Sequence, residues 1–177
     1  MTIIYCMSFN VDLKRGKYYE TKALENLKTH GFKKLKIYEG YKKEYDISGR
    51  FKKKKVYIEC KYSKYVSYTN KIFIEVFTTK FKESGITATR SDYYILYSYF
   101  DYWIIETDEL KKALEEHLRS VCNIKNATHI QLIDYIKENG CYTNNSIGVI
   151  IPMDTIQKRC IFYGNHKKRN NNNNVFV

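Results

Sequence analysis

Two β-rich runs, Glu44 to Ser48 and Val56 to Tyr62, flank the segment Gly49 to Lys55, in which five of seven residues are basic. Runs this close in sequence, joined by a turn, pair as an antiparallel hairpin, and this pairing constrains the chain more than any other local signal. If the loop comprises Phe51 to Lys54, position 46 stands opposite position 59, whereas another loop length or a bulge shifts the register. Residues two apart on a strand share a face, so Glu59 and Lys61 project together. In the expected register Asp46 joins them, and two carboxylates and one ammonium meet on one patch.

The charge around this hairpin sharpens the point. Residues 41–82 hold twelve bases against four acids, so Asp46, Glu59 and Glu75 are isolated carboxylates in a cationic segment. Residues 83–116 reverse the balance, with three bases against eight acids. The whole chain carries +12, with 16% aromatic residues and 18 tyrosines. A basic, tyrosine-rich surface suits a polyanion, because cations attract phosphates and rings stack on bases. A solvated strand edge blunted by lysines is the competing account of Lys52 to Lys55.

The 177 residues, 44% hydrophobic and 28% charged, fit one domain with a real core and exclude a disordered chain. No run is long enough to span a bilayer, no basic amphipathic helix suggests a membrane surface, and no signal peptide is evident. The five cysteines, Cys6, Cys60, Cys122, Cys141 and Cys160, include no C-x-x-C pair. Reduced thiols in an intracellular compartment, cytoplasmic or nuclear, are expected rather than disulfides or zinc.

Spacing and breakers give a coarse order. A helix is expected over Tyr18 to His30, with Ala23, Leu24 and Leu27 on one stripe and Gly31 as its stop. Phe32 to Tyr38, Ile72 to Phe77, Tyr93 to Tyr99, Trp103 to Ile105 and Ile147 to Ile151 read as strands. Ser84 to Asp92 reads as a short helix, and Asp108 to Arg119 as a strong one capped by Thr107. A further helix covers Thr128 to Glu138, with Ile130, Ile133 and Ile136 on its stripe. This order implies an α/β or α+β fold: a mixed central sheet flanked by helices. Residues 1–120 are expected as the core, 121–166 as an α/β extension packed on it, and 167–177 as a basic, Asn-rich tail.

Glu20 lies on the stripe of Leu24 and Leu27, where a carboxylate is costly unless it is paired or binds a metal. Glu20 on a helix, Asp46 ending one strand, and Glu59-x-Lys61 on the next make a set suited to holding a divalent cation. Two close carboxylates repel unless a cation lies between them. Oxygen donors suit magnesium, with manganese as a substitute. Such a site can cleave a phosphodiester, the ion activating a water and Lys61 stabilising the transition state.

These elements resemble the PD-(D/E)XK nuclease superfamily, which includes restriction enzymes, Holliday-junction resolvases and phage nucleases. The matching stretches are Lys14 to Glu20, Leu27 to Phe32, Tyr45-Asp46-Ile47 and Ile58-Glu59-Cys60-Lys61. Gly16 to Phe32 is similar to the first helix of archaeal-type junction resolvases. Tyr57 through Ile74-Glu75 to Ser84-Gly85-Ile86, and Thr89 to Tyr93, resemble small phage and viral members. The likeness covers residues 14–112, and Tyr45 stands where the motif has proline. It implies a restriction-endonuclease-like core, Asp46 and Glu59 as metal ligands, Lys61 as the catalytic lysine and Glu20 as the helix acid. It also implies a magnesium-dependent DNA endonuclease acting on branched DNA in recombination, repair or replication, with a viral origin among the expectations.

Arg15, Lys17, Lys64, Ser84, Thr87 and Arg90 are the expected nucleic-acid contacts, because they flank the site with suitable donors. Paired cuts in a branched molecule call for a two-fold homodimer, with Ile72 to Phe77 and Thr128 to Glu138 as its expected surfaces. No nucleotide cofactor is expected. The competing class is a catalytically inactive nucleic-acid-binding or architectural protein on a nuclease-like fold.

Overall fold

Helix α1 (Phe9–Thr29) begins well before the stripe that signals it, and Ala23 and Leu27 are fully buried on its inner face. Gly31, with φ of 85°, reverses the chain, and the Phe32 N–H returns to the Leu27 carbonyl at 3.1 Å. These contacts come from a computed structural model, which describes residues 9–39, 45–123, 126–143 and 145–165, with side chains from residue 13. Expectations for Cys6, Glu44 and the tail fall outside the described residues.

The hairpin forms as β2 (Ile47–Phe51) and β3 (Lys54–Tyr62). Its turn is tighter than expected: only Lys52 and Lys53 lie between the strands, both at positive φ (47° and 67°). From Ile47 to Phe51 the register is nevertheless the expected one, because a two-residue and a four-residue loop centred on the same bond give the same pairing. Phe51 faces Lys54 and Ile47 faces Ile58. Strand β1 (Lys33–Ile37) adds antiparallel to β2.

Strand β5 (Tyr93–Tyr97) runs parallel to β3, and β6 (Asp101–Glu106) and β9 (Phe162–Asn165) complete a six-stranded sheet in the order β1-β2-β3-β5-β6-β9. A smaller sheet combines β4 (Lys71–Thr78), β8 (Ser146–Pro152) and β7 (Cys141–Tyr142), in the order β4-β8-β7. The architecture is mixed α+β, mostly antiparallel, with helices flanking the sheet. Residues beyond 120 supply strands to both sheets.

Period-two alternation divides the core. Ile58, Ile95, Tyr97 and Ile104 face α1, whereas Tyr94, Leu96, Trp103 and Ile105 face the smaller sheet. This second layer includes α3 (Thr107–Val121), α4 (His129–Asn139) and α5 (Met153–Gln157). Strand β5 is buried on both faces, which explains its unbroken apolar and aromatic sequence. One further helical turn, α2 (Val66–Thr69), follows β3.

Several expectations are corrected. Ser84 to Asp92 is not a helix: Gly85 takes φ of 53°, and the Thr87 hydroxyl engages Val76 and Ser84 backbone groups instead of a helical turn. Thr107 does not cap α3, since its hydroxyl donates to the Ser91 carbonyl at 2.6 Å. Helix α4 is capped by Thr128 and Gln131, and it buries Leu132 and Ile136 while Ile130, expected on the inner stripe, is 70% exposed. Ile72, Ile74, Val76 and Phe77 belong to the chain's own core rather than to an open surface. Cys60, Cys122, Cys141 and Cys160 are free thiols, and no helix among the described residues is long and apolar enough to cross a membrane.

Candidate active site

Strand β2 parts from β3 at Ile47, and Asp46 stands at that parting. Its N–H donates to the Ile58 carbonyl at 3.1 Å, and its carbonyl accepts from Tyr38 at 2.8 Å. Its Oδ2 accepts from the Cys60 N–H at 2.8 Å, and the residue is buried. Backbone and side chain therefore both fix Asp46 to the segment of β3 that carries Glu59. Ile47 pairs with Ile58 and the Asp46 N–H turns to the same Ile58 carbonyl, so the expected pairing of Asp46 opposite Glu59 is corrected: the ladder breaks step at Asp46, and its carboxylate reaches the Cys60 N–H instead.

Glu59 and Lys61 project away from α1, because Ile58, Cys60 and Tyr62 take the α1 side. Lys61 Nζ lies 3.7 Å from Glu75 Oε2, with the lysine 40% and the glutamate 22% exposed. Glu75 comes from β4 in the smaller sheet, immediately before a bulge at Val76. The Ser84 hydroxyl donates to Glu75 Oε1. The chain at Gly85 passes so close that a Cβ there would lie 2.5 Å from the Glu75 carbonyl oxygen. This contact and the positive φ both require glycine.

Tyr94, paired with Glu59 across β3 and β5, reports how these acids converge. Burial pushes its phenol well above the ordinary tyrosine range, the nearby Glu59 carboxylate adds to the rise, and Glu75 and Asp46 add less, while a hydrogen bond with Thr89 opposes it. Glu59 on β3, Glu75 on β4 and Asp46 just before β2 thus act on one phenol. Among the described residues no group of three or more His, Cys, Asp or Glu side chains is gathered tightly enough to hold a metal by itself. Magnesium commonly takes one or two carboxylates and completes its shell with water and substrate phosphate.

Glu20 is buried on α1 next to Tyr19, which stacks on Tyr62 at 4.1 Å. Its helix packs against the sheet face opposite to Glu59 and Lys61. The structure therefore brings Glu59, Lys61 and Glu75 to one face, holds the Asp46 carboxylate on the β3 backbone between Glu59 and Lys61, and sets Glu20 on the helix packed against the opposite face.

The expected nucleic-acid contacts divide similarly. The Arg15 guanidinium lies 5.6 Å from the Tyr62 ring, and Lys64 lies 5.3 Å from the Tyr65 ring. Lys17 and Arg90 are exposed, and Arg90 lines a cleft of about 380 Å³ with Lys54, Lys55 and Lys111. Ser84 and Thr87 use their hydroxyls inside the loop, on Glu75 and Val76.

Glu75 had only a weak claim from sequence, since its link to Lys61 depends on how two sheets stack. Tyr94 had no separable claim within a tyrosine-rich run. No family model, curated protein or solved structure matches the chain.

Proposed function

We propose that this protein is a magnesium-dependent DNA endonuclease on a restriction-endonuclease-like core, hydrolysing phosphodiester bonds at Asp46, Glu59 and Lys61. The observation that carries the reading is the Asp46 carboxylate held on the Cys60 N–H, between Glu59 and Lys61, which share one face of β3. The donor set fits a hard divalent cation: oxygen ligands only, from one carboxylate just before β2 and one on β3. Asp46 and Glu59 would hold the ion, with Glu20 as the helix acid and manganese as a substitute. When bound, the ion supplies an activated water and offsets charge on the phosphate.

The chain's own residues prepare the rest. The Cys60 N–H holds one oxygen of Asp46 and so fixes the direction of its carboxylate. Glu75 restrains Lys61 beside the acids, where its ammonium can stabilise charge developing on the phosphoryl oxygens or orient the attacking water. Glu75 is a positioning residue, itself anchored by Ser84. Branched DNA is the proposed substrate, on the likeness of α1 to the first helix of junction resolvases, and a homodimer would supply paired cuts.

Incubating linear, flapped, nicked and four-way DNA with magnesium, manganese or EDTA tests the reading. Cleavage with either metal and none with EDTA is expected. Binding without cleavage under every condition would favour an architectural protein on the same fold.

A further inference from the structure

Strands β1, β2 and β3 carry a row of like charges on the face that bears the candidate acids. Lys33 stands directly opposite Arg50, and Arg50 directly opposite Lys55. All three are exposed. Like charges placed directly opposite one another across strands destabilise a sheet. At strand spacings of about 4.8 Å the row is roughly 10 Å wide.

A bulge in β1 extends it. Between the Lys33–Arg50 and Lys36–Ser48 pairs β1 has one residue more than β2, and Lys34 takes φ of 52°. Lys33 and Lys36, three apart, would otherwise point to opposite faces. The bulge turns both to the same one, which is how bulges re-aim side chains. Lys36 is also exposed.

Protection of a sheet edge explains lysines on β1, which is an edge strand. It does not explain Arg50, which is paired on both sides, by Lys33 of β1 and Lys55 of β3. Along β3 the site face runs Lys55, Tyr57, Glu59, Lys61, and Lys55 Nζ lies 4.9 Å from the Tyr57 ring. Lys55 stands four residues from Glu59, or about 13 Å at about 3.3 Å per residue.

We propose that Lys33, Lys36, Arg50 and Lys55 form a seat for the phosphate backbone of duplex DNA on one side of the cleavage point. With a duplex rise of about 3.4 Å per base pair, the seat lies about four base pairs from the scissile phosphate. The inference rests on the nuclease reading only for the position of the cut. The repulsion built into the row is relieved when a polyanion covers it.

The test is the salt dependence of binding to a linear duplex, followed by fluorescence anisotropy in EDTA so that cleavage plays no part. Changing Lys33, Lys36, Arg50 and Lys55 together to Gln should lower the slope of log K against log salt by about three to four, at about 0.9 per phosphate contact. Changing exposed Lys28, Lys112, Lys137 and Lys158 to Gln removes the same charge elsewhere and should leave the slope near wild type. Single Lys55→Gln, read separately, should lower it by about one. Melting temperature at low salt should hold or rise in the first variant, which separates lost contacts from lost folding. An unchanged slope, or an equal fall in the control variant, would overturn the seat. A fall confined to the first variant in a protein that never cuts DNA would keep the seat and sink the nuclease reading.

Discussion

At Gly85 a single missing Cβ decides how the Glu75 carboxylate is held. The positive φ and the approach to the Glu75 carbonyl make Gly85→Ala costly, by more than about 1 kcal/mol. Thermal unfolding should show a lower melting temperature, together with slower cleavage because the loop that anchors Glu75 is displaced. Glu75→Gln leaves the loop intact but weakens the hold on Lys61, and should slow cleavage about 10- to 100-fold, the scale of losing a supporting contact. Initial rates at saturating DNA would show it, and a wild-type rate would remove Glu75 from the site.

Buried phenols set the alkaline limit. Burial is the largest cause raising Tyr19, Tyr94 and Tyr97 far above the ordinary tyrosine value. A raised folded pKa gives stability that is complete below the unfolded value of about 10 and is lost as pH rises through the folded one. Denaturant titrations from pH 9 to 11 should show stability falling above pH about 10, and Tyr94→Phe should make that fall shallower.

At the scale of elements, the hairpin shows what could be read from sequence and what could not. Its existence, its register from Ile47 to Phe51 and the shared face of Glu59 and Lys61 follow from short-range pattern and a turn centred on Lys52-Lys53, whereas the break in step at Asp46 does not. The turn's tightness was hidden, because two lysines at positive φ contradict the residue preference of such turns. Replacing Lys52-Lys53 by Asn-Gly should therefore stabilise the protein by about 1–2 kcal/mol, the scale of relieving strained left-handed residues. Chemical denaturation would measure the gain, and no gain would mean that the turn is not strained. The loop over residues 84–92 departs from its helical pattern for a related reason: Ser84 and Thr87 signal helix caps, yet their hydroxyls serve Glu75 and Val76. The stripe of α4 was displaced because Leu132 and Ile136 meet β8, a contact between distant segments that periodicity cannot specify.

Across the whole molecule, two layers pack on one sheet, and the candidate acids lie where the smaller sheet meets the open β1–β2–β3 end. Sequence reading finds the acids of the hairpin because they are local. It does not fix Glu75, because that residue pairs with Gly148 of β8, far away in the chain. The β1 bulge that gathers the basic row has no sequence signal apart from its lysines.

The central claim, hydrolysis of DNA at Asp46, Glu59 and Lys61, is tested most directly by single-turnover cleavage of a labelled four-way junction in magnesium. Wild-type protein is compared with Glu59→Gln and Lys61→Ala, and binding is measured in EDTA. At least about a hundredfold loss of rate is expected in each variant with binding retained, the scale of one strong transition-state contact. Cleavage by Lys61→Ala at the wild-type rate, or no magnesium-dependent cleavage by the wild-type protein, would contradict it.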